Sequence, residues 1–181
     1  MSQQNERATK KINVIVDCNE RHKFQDYRIL ASPTPQVFHL QDSHQQVWAL
    51  KDKTLIATPH SDYVTPVILE SMPCRDKAYP VRDQSTAVYL GIHGKELCLF
   101  CEESGGKPTL KVKDKKIHDL YSSETAEKPF VFYVNKTGSI STIESAAYPG
   151  WFVCTSNEKD QPVTMTQHIG TNYNTAFYLS S

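Results

Sequence analysis

The chain lacks the features that would point to several classes of protein. Its 20 basic and 20 acidic residues give a formal net charge of zero, so no overall field attracts nucleic acid or an anionic membrane. No apolar run is long enough to span a membrane, and Val14–Val16 near the start is far shorter than the core of a secretory signal. The five cysteines cannot all pair within the chain. We therefore expect synthesis in the cytosol with mostly free thiols, no nucleic-acid partner and no insertion into a membrane.

The motifs that usually carry catalysis or metal binding are also missing. The seven histidines are scattered and form no HExxH, and no GxSxG is present. Cys98 and Cys101 have the spacing of a redox or metal motif, but they lie in an apolar run typical of a strand, where residues three apart point to opposite faces. The glycine pair before Lys107 predicts a hairpin turn, since no helix follows it to complete a phosphate site. We predict packed thiols, no catalytic residue, no metal and no cofactor.

What the chain has instead is a series of short apolar runs separated by turn residues. The runs are rich in Val, Ile, Thr, Phe and Tyr, and Gly, Pro, Asp, Asn or Ser bounds each of them. This pattern predicts an all-β domain, in which only Ile117–Tyr121 looks like a helical turn. The runs lie at 47–51, 54–58, 66–72, 86–92, 97–101, 108–112, 129–134, 139–147, 151–156, 162–167 and 175–180.

The runs also repeat in groups of about four. An apolar run, a polar loop and a second run opened by proline occur at 97–112 and again at 151–167, and an aromatic run follows each pair. A looser copy begins at residue 47. Three copies of roughly 40 to 55 residues predict a β-trefoil of about twelve strands, a short barrel capped by three hairpins. A two-sheet jelly roll is the alternative.

The start of the chain differs from the rest. Residues 1–30 are polar and charged, apart from the short apolar run Ile12–Val16, and they lead into ASPTP at 31–35, which cannot continue a helix or a ladder. We predict a flexible leader at 1–30 and a β-trefoil domain at 31–181. A short extra strand in the leader is the alternative.

Two surface motifs have both a functional and a structural interpretation. The lysine-rich segment Lys111–Lys116 could bind heparin or an acidic protein, but lysines on a strand edge more often prevent sheets from pairing. Asn135-Lys-Thr137 is a glycosylation sequon, which matters only if the chain passes through the secretory pathway.

The segment ESAAYPGWFVCTS, residues 144–156, joins a Pro-Gly turn signal to an apolar run. Together with QPVTMTQ at 161–167, it resembles the region of strands nine to eleven in interleukin-1 family cytokines. Other segments resemble the central strands of the same family, namely 89–101, 107–121 and 128–147.

Two more segments resemble one branch of this family. QQVWALKDKTLIATPHSDYVTPV at 45–67 and NYNTAFYL at 172–179 are similar to the interleukin-36 branch. The loop His168–Asn174 is short, like that of the agonists, whereas the antagonist's loop is longer. The resemblance extends from roughly Phe38 to the C-terminus and favours an agonist.

The resemblance implies a secreted ligand that lacks a signal peptide and is cytoplasmic before release. It implies binding to an interleukin-36-type receptor, recruitment of the interleukin-1 receptor accessory protein, and activation of NF-kappaB and MAPK signalling. We expect a monomer without enzymatic activity. The alternative is a receptor antagonist or anti-inflammatory member that binds the receptor without recruiting the accessory chain. A trefoil lectin or heparin-binding module is a further alternative of a different class.

In the family, agonism depends largely on two loops, which correspond here to Cys74–Ser85 (the first loop) and His168–Asn174 (the second loop). Tyr173 is the expected anchor, because tyrosine combines apolar area with a polar tip. The residues predicted to contact the receptor are Arg75, Asp76, Asn172, Tyr173 and Asn174.

The resemblance also implies activation by trimming of the leader. In the interleukin-36 branch the active N-terminus lies nine residues before an apolar-x-Asp motif, and Leu40-Gln41-Asp42 fits that motif. The new N-terminus would be Ala31, after cleavage at Leu30. A polar leader that ends in a proline-rich break suits a protease, which needs an accessible, extended backbone.

Overall fold

A computed structural model of the chain describes residues 33–170 and 172–181. The chain divides after Thr34, and Pro35–Ser181 forms the compact unit that contains the strands below. The predicted leader at 1–30 and the predicted domain start at Ala31 lie outside the described residues, so this boundary stays a prediction.

The described residues form short strands, most of them at the predicted apolar runs, with one short helix. The helix α1 (Ile117–Ser122) and a 3-10 turn at Lys128–Phe130 lie between two strands. The strands are β1 (Gln36–Asp42), β2 (Gln46–Lys51), β3 (Thr54–Pro59), β4 (Leu69–Pro73), β5 (Ser85–Ile92), β6 (Leu97–Ser104), β7 (Lys107–Asp114), β8 (Val131–Thr137), β9 (Ile140–Ser145), β10 (Phe152–Ser156), β11 (Gln161–Pro162), β12 (Thr164–Thr166), β13 (Tyr173–Asn174) and β14 (Phe177–Ser180).

Six of these strands close into a barrel. Each pairs in antiparallel fashion with the next in the order β1, β4, β5, β8, β9 and β14, and β14 returns to β1. In the closing pair, His39 lies opposite Ser180 and Asp42 opposite Phe177. Closure leaves no open edge in the ring, and it joins the first and last strands of the domain.

Three hairpins complete a threefold arrangement. The hairpin β2–β3 follows β1, β6–β7 follows β5, and β10–β12 follows β9, while β11 pairs with the edge of β3. This is the predicted β-trefoil, and the jelly roll is excluded. The strand β1 was not predicted, because its buried residues Phe38, Leu40 and Asp42 alternate with less buried ones and form no continuous apolar run.

The barrel interior is filled by large apolar side chains. Trp48 and Phe177 pack edge to face with their ring centres 5.5 Å apart, and Phe132 is fully buried beside them in the same cluster. A second cluster, which includes Phe100 and Leu120, lies where α1 covers the outside of the barrel.

The cysteines belong to this packing. Cys101 lies in the barrel cluster and Cys98 in the outer one, so the prediction of opposite faces is confirmed. Both are free, as are the other cysteines that the structure describes.

The segment that carries the clearest resemblance forms a hydrogen-bonded turn between β9 and β10. The Glu144 carboxylate accepts a hydrogen bond from the Gly150 N–H at 2.9 Å, and the Ser145 hydroxyl accepts one from the Tyr148 N–H at 3.1 Å. The Tyr148 hydroxyl accepts the N–H of Glu103 at 3.0 Å, which ties the turn to β6. Gly150 has a φ of +85°, a conformation that favours glycine. The segment therefore serves the fold.

Among the described residues, no helix has the length and apolar character needed to cross a membrane.

Candidate functional site

The two loops predicted to contact a receptor lie at opposite ends of the barrel. Both β4 and β14 run antiparallel to β1 and therefore point in the same direction. The first loop leaves the end of β4, whereas the second loop enters the start of β14. The structure thus does not bring the predicted contact residues together into one site.

In the first loop, Arg75 attaches the loop to the end of α1. Its Nε donates to the Tyr121 carbonyl at 2.8 Å and its Nη2 to the Ser122 carbonyl at 3.0 Å. Its guanidinium also lies 4.7 Å from the centre of the Tyr121 ring. The last carbonyls of a helix lack partners within the helix and carry partial negative charge, which suits an arginine.

Asp76 makes a second attachment beside the first. Its Oδ1 accepts the N–H of Ala78 and its Oδ2 the N–H of Ala126, each at 2.9 Å. These bonds, that from Ala126 first, lower the pKa of the Asp76 carboxyl, because they stabilise the charged form. Arg75 and Asp76 therefore shape the first loop from within, while Arg75 remains exposed.

The far end of the first loop carries two residues that the sequence analysis missed. The Arg82 guanidinium lies 3.9 Å from the centre of the Tyr133 ring and 3.6 Å from a Glu144 oxygen. Next to it, Val81 is 76% exposed. The sequence carries no signal for either residue, since a single apolar residue in a polar loop is common on protein surfaces and does not by itself indicate a contact.

In the second loop, Tyr173 lies against the end of β10. It pairs with Ser156 in the short ladder between β13 and β10, and 40% of its surface is exposed. A shallow groove on this face is lined by Ser156, Glu158, Gln161, Pro162, Thr164 and Tyr173. Asn172 is exposed, and Ile169, which the sequence analysis did not select, is 56% exposed. The second loop therefore presents an aromatic and an aliphatic side chain to solvent.

Asn174 differs from its neighbours because it is buried. Its Nδ2 donates to the side-chain Oδ1 of Asn157 at 2.9 Å and lies 3.4 Å from Asp42 Oδ2. Its own Oδ1 accepts a hydrogen bond from the Ser43 hydroxyl at 3.4 Å. A side chain bonded within the protein in this way does not fit the expectation that Asn174 contacts a receptor, and we assign it to the structure of the loop.

The motif Leu40-Gln41-Asp42 forms the end of β1, with Leu40 and Asp42 buried and Gln41 exposed. The predicted cleavage residues Leu30 and Ala31 lie outside the part of the chain that the structure describes.

A family model described as "Interleukin-1 / 18" matches residues 77–179. The chain belongs to the interleukin-1 family. It is 40% identical to human interleukin-36 alpha over 153 residues, which cover 84% of this chain and 97% of that protein. It is 41% identical to mouse interleukin-36 beta over 151 residues, 83% of this chain and 82% of that protein.

The structure supports the same assignment. It resembles the NMR structure of the pro-inflammatory cytokine interleukin-36alpha with a TM-score of 0.69 and 41% identity, over 82% of this chain and 94% of that one. The predicted β-trefoil, cytokine class and lack of enzymatic function are thus confirmed by family and fold. The similarity to the interleukin-36 branch is confirmed as well.

Within this interleukin-1 family fold, the lysine-rich segment is largely neutralised by its neighbours. Each of its lysines lies within 4.0 Å of a carboxylate oxygen. Lys113 also lies 3.9 Å from the centre of the Phe100 ring, which it covers on the outer cluster. The pairs are Lys111–Glu102, Lys113–Glu102, Lys115–Glu127 and Lys116–Glu96. Because the carboxylates offset the positive charge, this segment offers an anionic glycan little net attraction.

Proposed function

We propose that this chain is an agonist cytokine of the interleukin-36 branch. It acts outside the cell by binding an interleukin-36-type receptor and recruiting the interleukin-1 receptor accessory protein, which activates NF-kappaB and MAPK signalling. The observation that carries this proposal is the identity to interleukin-36 alpha over almost the whole of that protein. The shortness of the second loop supports agonism over antagonism.

The two loops supply the proposed contact surfaces. In the second loop, Tyr173 is the proposed anchor, with Asn172 and Ile169 beside it, because exposed aromatic side chains are favoured at interface hot spots. In the first loop, Arg75 and Val81 are the exposed candidates, and Asp76 keeps the loop in shape. Placing contacts at both ends of the barrel lets one small ligand touch more than one receptor domain.

Replacement of Tyr173 tests the proposed anchor. Tyr173→Ala is expected to weaken binding to the receptor ectodomain by about tenfold or more, as truncation of an interface anchor does. Tyr178 is the matched control, since it is 39% exposed against 40% for Tyr173 but lies on β14 outside the loop. Equal affinities of Tyr173→Ala and Tyr178→Ala in surface plasmon resonance would contradict the assignment.

A reporter assay separates the agonist from the antagonist. Cells that carry the receptor and the accessory protein are expected to respond to the protein, whereas cells without the accessory protein are not. If the protein instead blocks the response to a known agonist and gives none of its own, it is an antagonist.

We also propose that cleavage between Leu30 and Ala31 activates the protein. The support is the spacing of nine residues from Ala31 to Leu40 at the start of the motif. A chain that begins at Ala31 is expected to be much more potent in the reporter assay than one that begins at Met1, and equal potency would refute the proposal. Export without a signal peptide, from a cytoplasmic form, stays a prediction.

A further inference from the structure

Asp42 is the centre of a buried hydrogen-bond network. Its side chain is completely inaccessible to solvent. Oδ1 accepts the backbone N–H groups of His44 at 2.8 Å and Gln46 at 2.9 Å. Oδ2 accepts the Gln46 side-chain amide at 2.9 Å, the Thr155 hydroxyl at 2.6 Å and, at 3.4 Å, the Asn174 amide.

The donors to Asp42 are all neutral groups. Among the residues that the structure describes, no lysine, arginine or histidine forms an ion pair with it. A buried carboxylate is costly unless hydrogen bonds satisfy its oxygens. The carboxylate and its donors therefore stabilise one another's positions, in addition to the pairing of the strands β2 and β10 that holds Gln46 and Thr155.

Two of the donors lead directly to the second loop. Thr155 and Asn174 lie opposite each other in the ladder between β10 and β13, and the next pair in that ladder is Ser156 and Tyr173. The Gln46 amide that donates to Asp42 also donates to the Ser156 carbonyl at 2.8 Å. Asp42 thus bonds directly to Asn174, the neighbour of Tyr173, and to Thr155 on β10. It is linked to Ser156, the other β10 residue of this ladder, through Gln46.

The ladder between β10 and β13 is short. The strand β13 has only the two residues Tyr173 and Asn174, and it pairs only with β10 in the described part of the chain. Of these two, Tyr173 is partly exposed and Asn174 is buried, so β13 is attached through Asn174, by Asp42 together with Asn157 and Ser43.

We propose that Asp42 is a positioning residue for receptor binding: through Thr155 and Asn174 it holds the second loop so that Tyr173 stands against β10 in its binding orientation. This inference rests on the proposed role of Tyr173. It assigns to Asp42 a function in the mature fold that is separate from its place in the processing motif.

The test uses the full chain with Asp42→Asn, which keeps the size of the side chain but places an amide among donors. Thr155→Val is the second variant, since it removes one donor with little change of shape and keeps the test informative if Asp42→Asn does not fold. Hydrogen exchange is expected to accelerate about tenfold or more at the amides of 172–175, with little change at the β5–β8 ladder. Receptor affinity is expected to fall about tenfold, because fewer molecules have the loop in its binding-competent state.

Two controls separate positioning from general destabilisation. Asp62→Asn changes an exposed aspartate in the same way and is expected to alter neither readout. Ile143→Val loosens the barrel core, and it is expected to raise exchange across the barrel without selective exchange in the second loop. In the Tyr173→Ala background, Asp42→Asn is expected to cause little further loss of affinity, because both changes act through one contact.

The outcomes distinguish the inference from the proposed function. If exchange at 172–175 is unchanged in both Asp42→Asn and Thr155→Val, or if it rises only in parallel with the whole barrel, the positioning role is refuted, whatever Tyr173→Ala does. If exchange rises selectively but Tyr173→Ala binds the receptor normally, the proposed contact fails and the role of Asp42 in binding fails with it. If exchange rises selectively at 172–175 and the affinity losses of Asp42→Asn and Tyr173→Ala are non-additive, the results support both the positioning role of Asp42 and the receptor contact of Tyr173.

Discussion

The closure of the barrel by its last strand can be tested at Phe177. This side chain is fully buried on β14 and packs edge to face on Trp48 with ring centres 5.5 Å apart. Its neighbour Tyr178 points the other way and is 39% exposed. The pair therefore compares one inward and one outward aromatic residue on the same four-residue strand.

The expected effect follows from burial and from the aromatic contact. Truncation of a buried phenylalanine to alanine costs roughly 3–5 kcal/mol of the free energy of unfolding, since it removes apolar contact and leaves a cavity. About 0.5–1.5 kcal/mol of that is attributable to the edge-to-face contact. For a domain of about 150 residues, such a loss lowers Tm by roughly 10 °C or more. Tyr178→Ala is expected to cost less than about 1 kcal/mol.

Equilibrium urea unfolding followed by tryptophan fluorescence measures both variants against the parent chain. The m-value is expected to stay the same in each, so the midpoint reports stability directly. A loss below about 1 kcal/mol for Phe177→Ala, or similar losses for the two variants, would refute the view that Phe177 closes the barrel interior.

Two further predictions concern titratable groups. The pKa of Asp76 is lowered from 3.8 by its backbone hydrogen bonds, so its contribution to stability is present above that pH and is lost as the pH falls through the folded-state value. Between about pH 6 and 3, the free energy of unfolding in urea is therefore expected to fall less in Asp76→Asn than in the parent or in Asp83→Asn, a control in the exposed part of the same loop. Identical pH profiles for the three proteins would contradict this. Burial raises the pKa of the Cys98 and Cys154 thiols to about 12, so both should resist a thiol reagent at pH 8 until the protein unfolds. The partly buried Cys74 should react sooner, and peptide mapping that finds Cys154 labelled as fast as Cys74 in the folded protein would overturn this expectation.

Signals that are local or that recur along the chain predicted the fold well. Turn residues between β-branched runs located most of the strands, and the echo between 97–112 and 151–167 identified the threefold arrangement. The strand β1 was missed because local composition does not distinguish a half-buried alternating strand from a polar linker. The short strand β13 was missed because two residues carry no period; only the neighbouring β10 makes them a strand.

The candidate site was less predictable than the fold. Tyr173 is exposed as expected, but Asn174 beside it is buried, because a ladder with β10 turns successive side chains to opposite sides. Arg75 and Asp76 were predicted to contact the receptor because of the loop in which they lie. In the structure, Arg75 donates to the carbonyl groups at the end of α1, and Asp76 accepts the N–H groups of Ala78 and Ala126. Hydrogen bonds of this kind join segments far apart in sequence and leave no local pattern.

The sequence by itself determined the class of fold, its threefold repeat and the family, because strand period, turn chemistry and family motifs are written in neighbouring residues. Only the tertiary structure decided that the two loops lie at opposite ends of the barrel and that acidic neighbours offset the lysine-rich segment. It also decided the hydrogen-bond partners of Asp42, of which Thr155 and Asn174 lie 113 and 132 positions further along the chain. The physical reason is that closure of the barrel between β1 and β14, with β10 alongside, brings these distant groups into a buried space where each polar atom needs a partner.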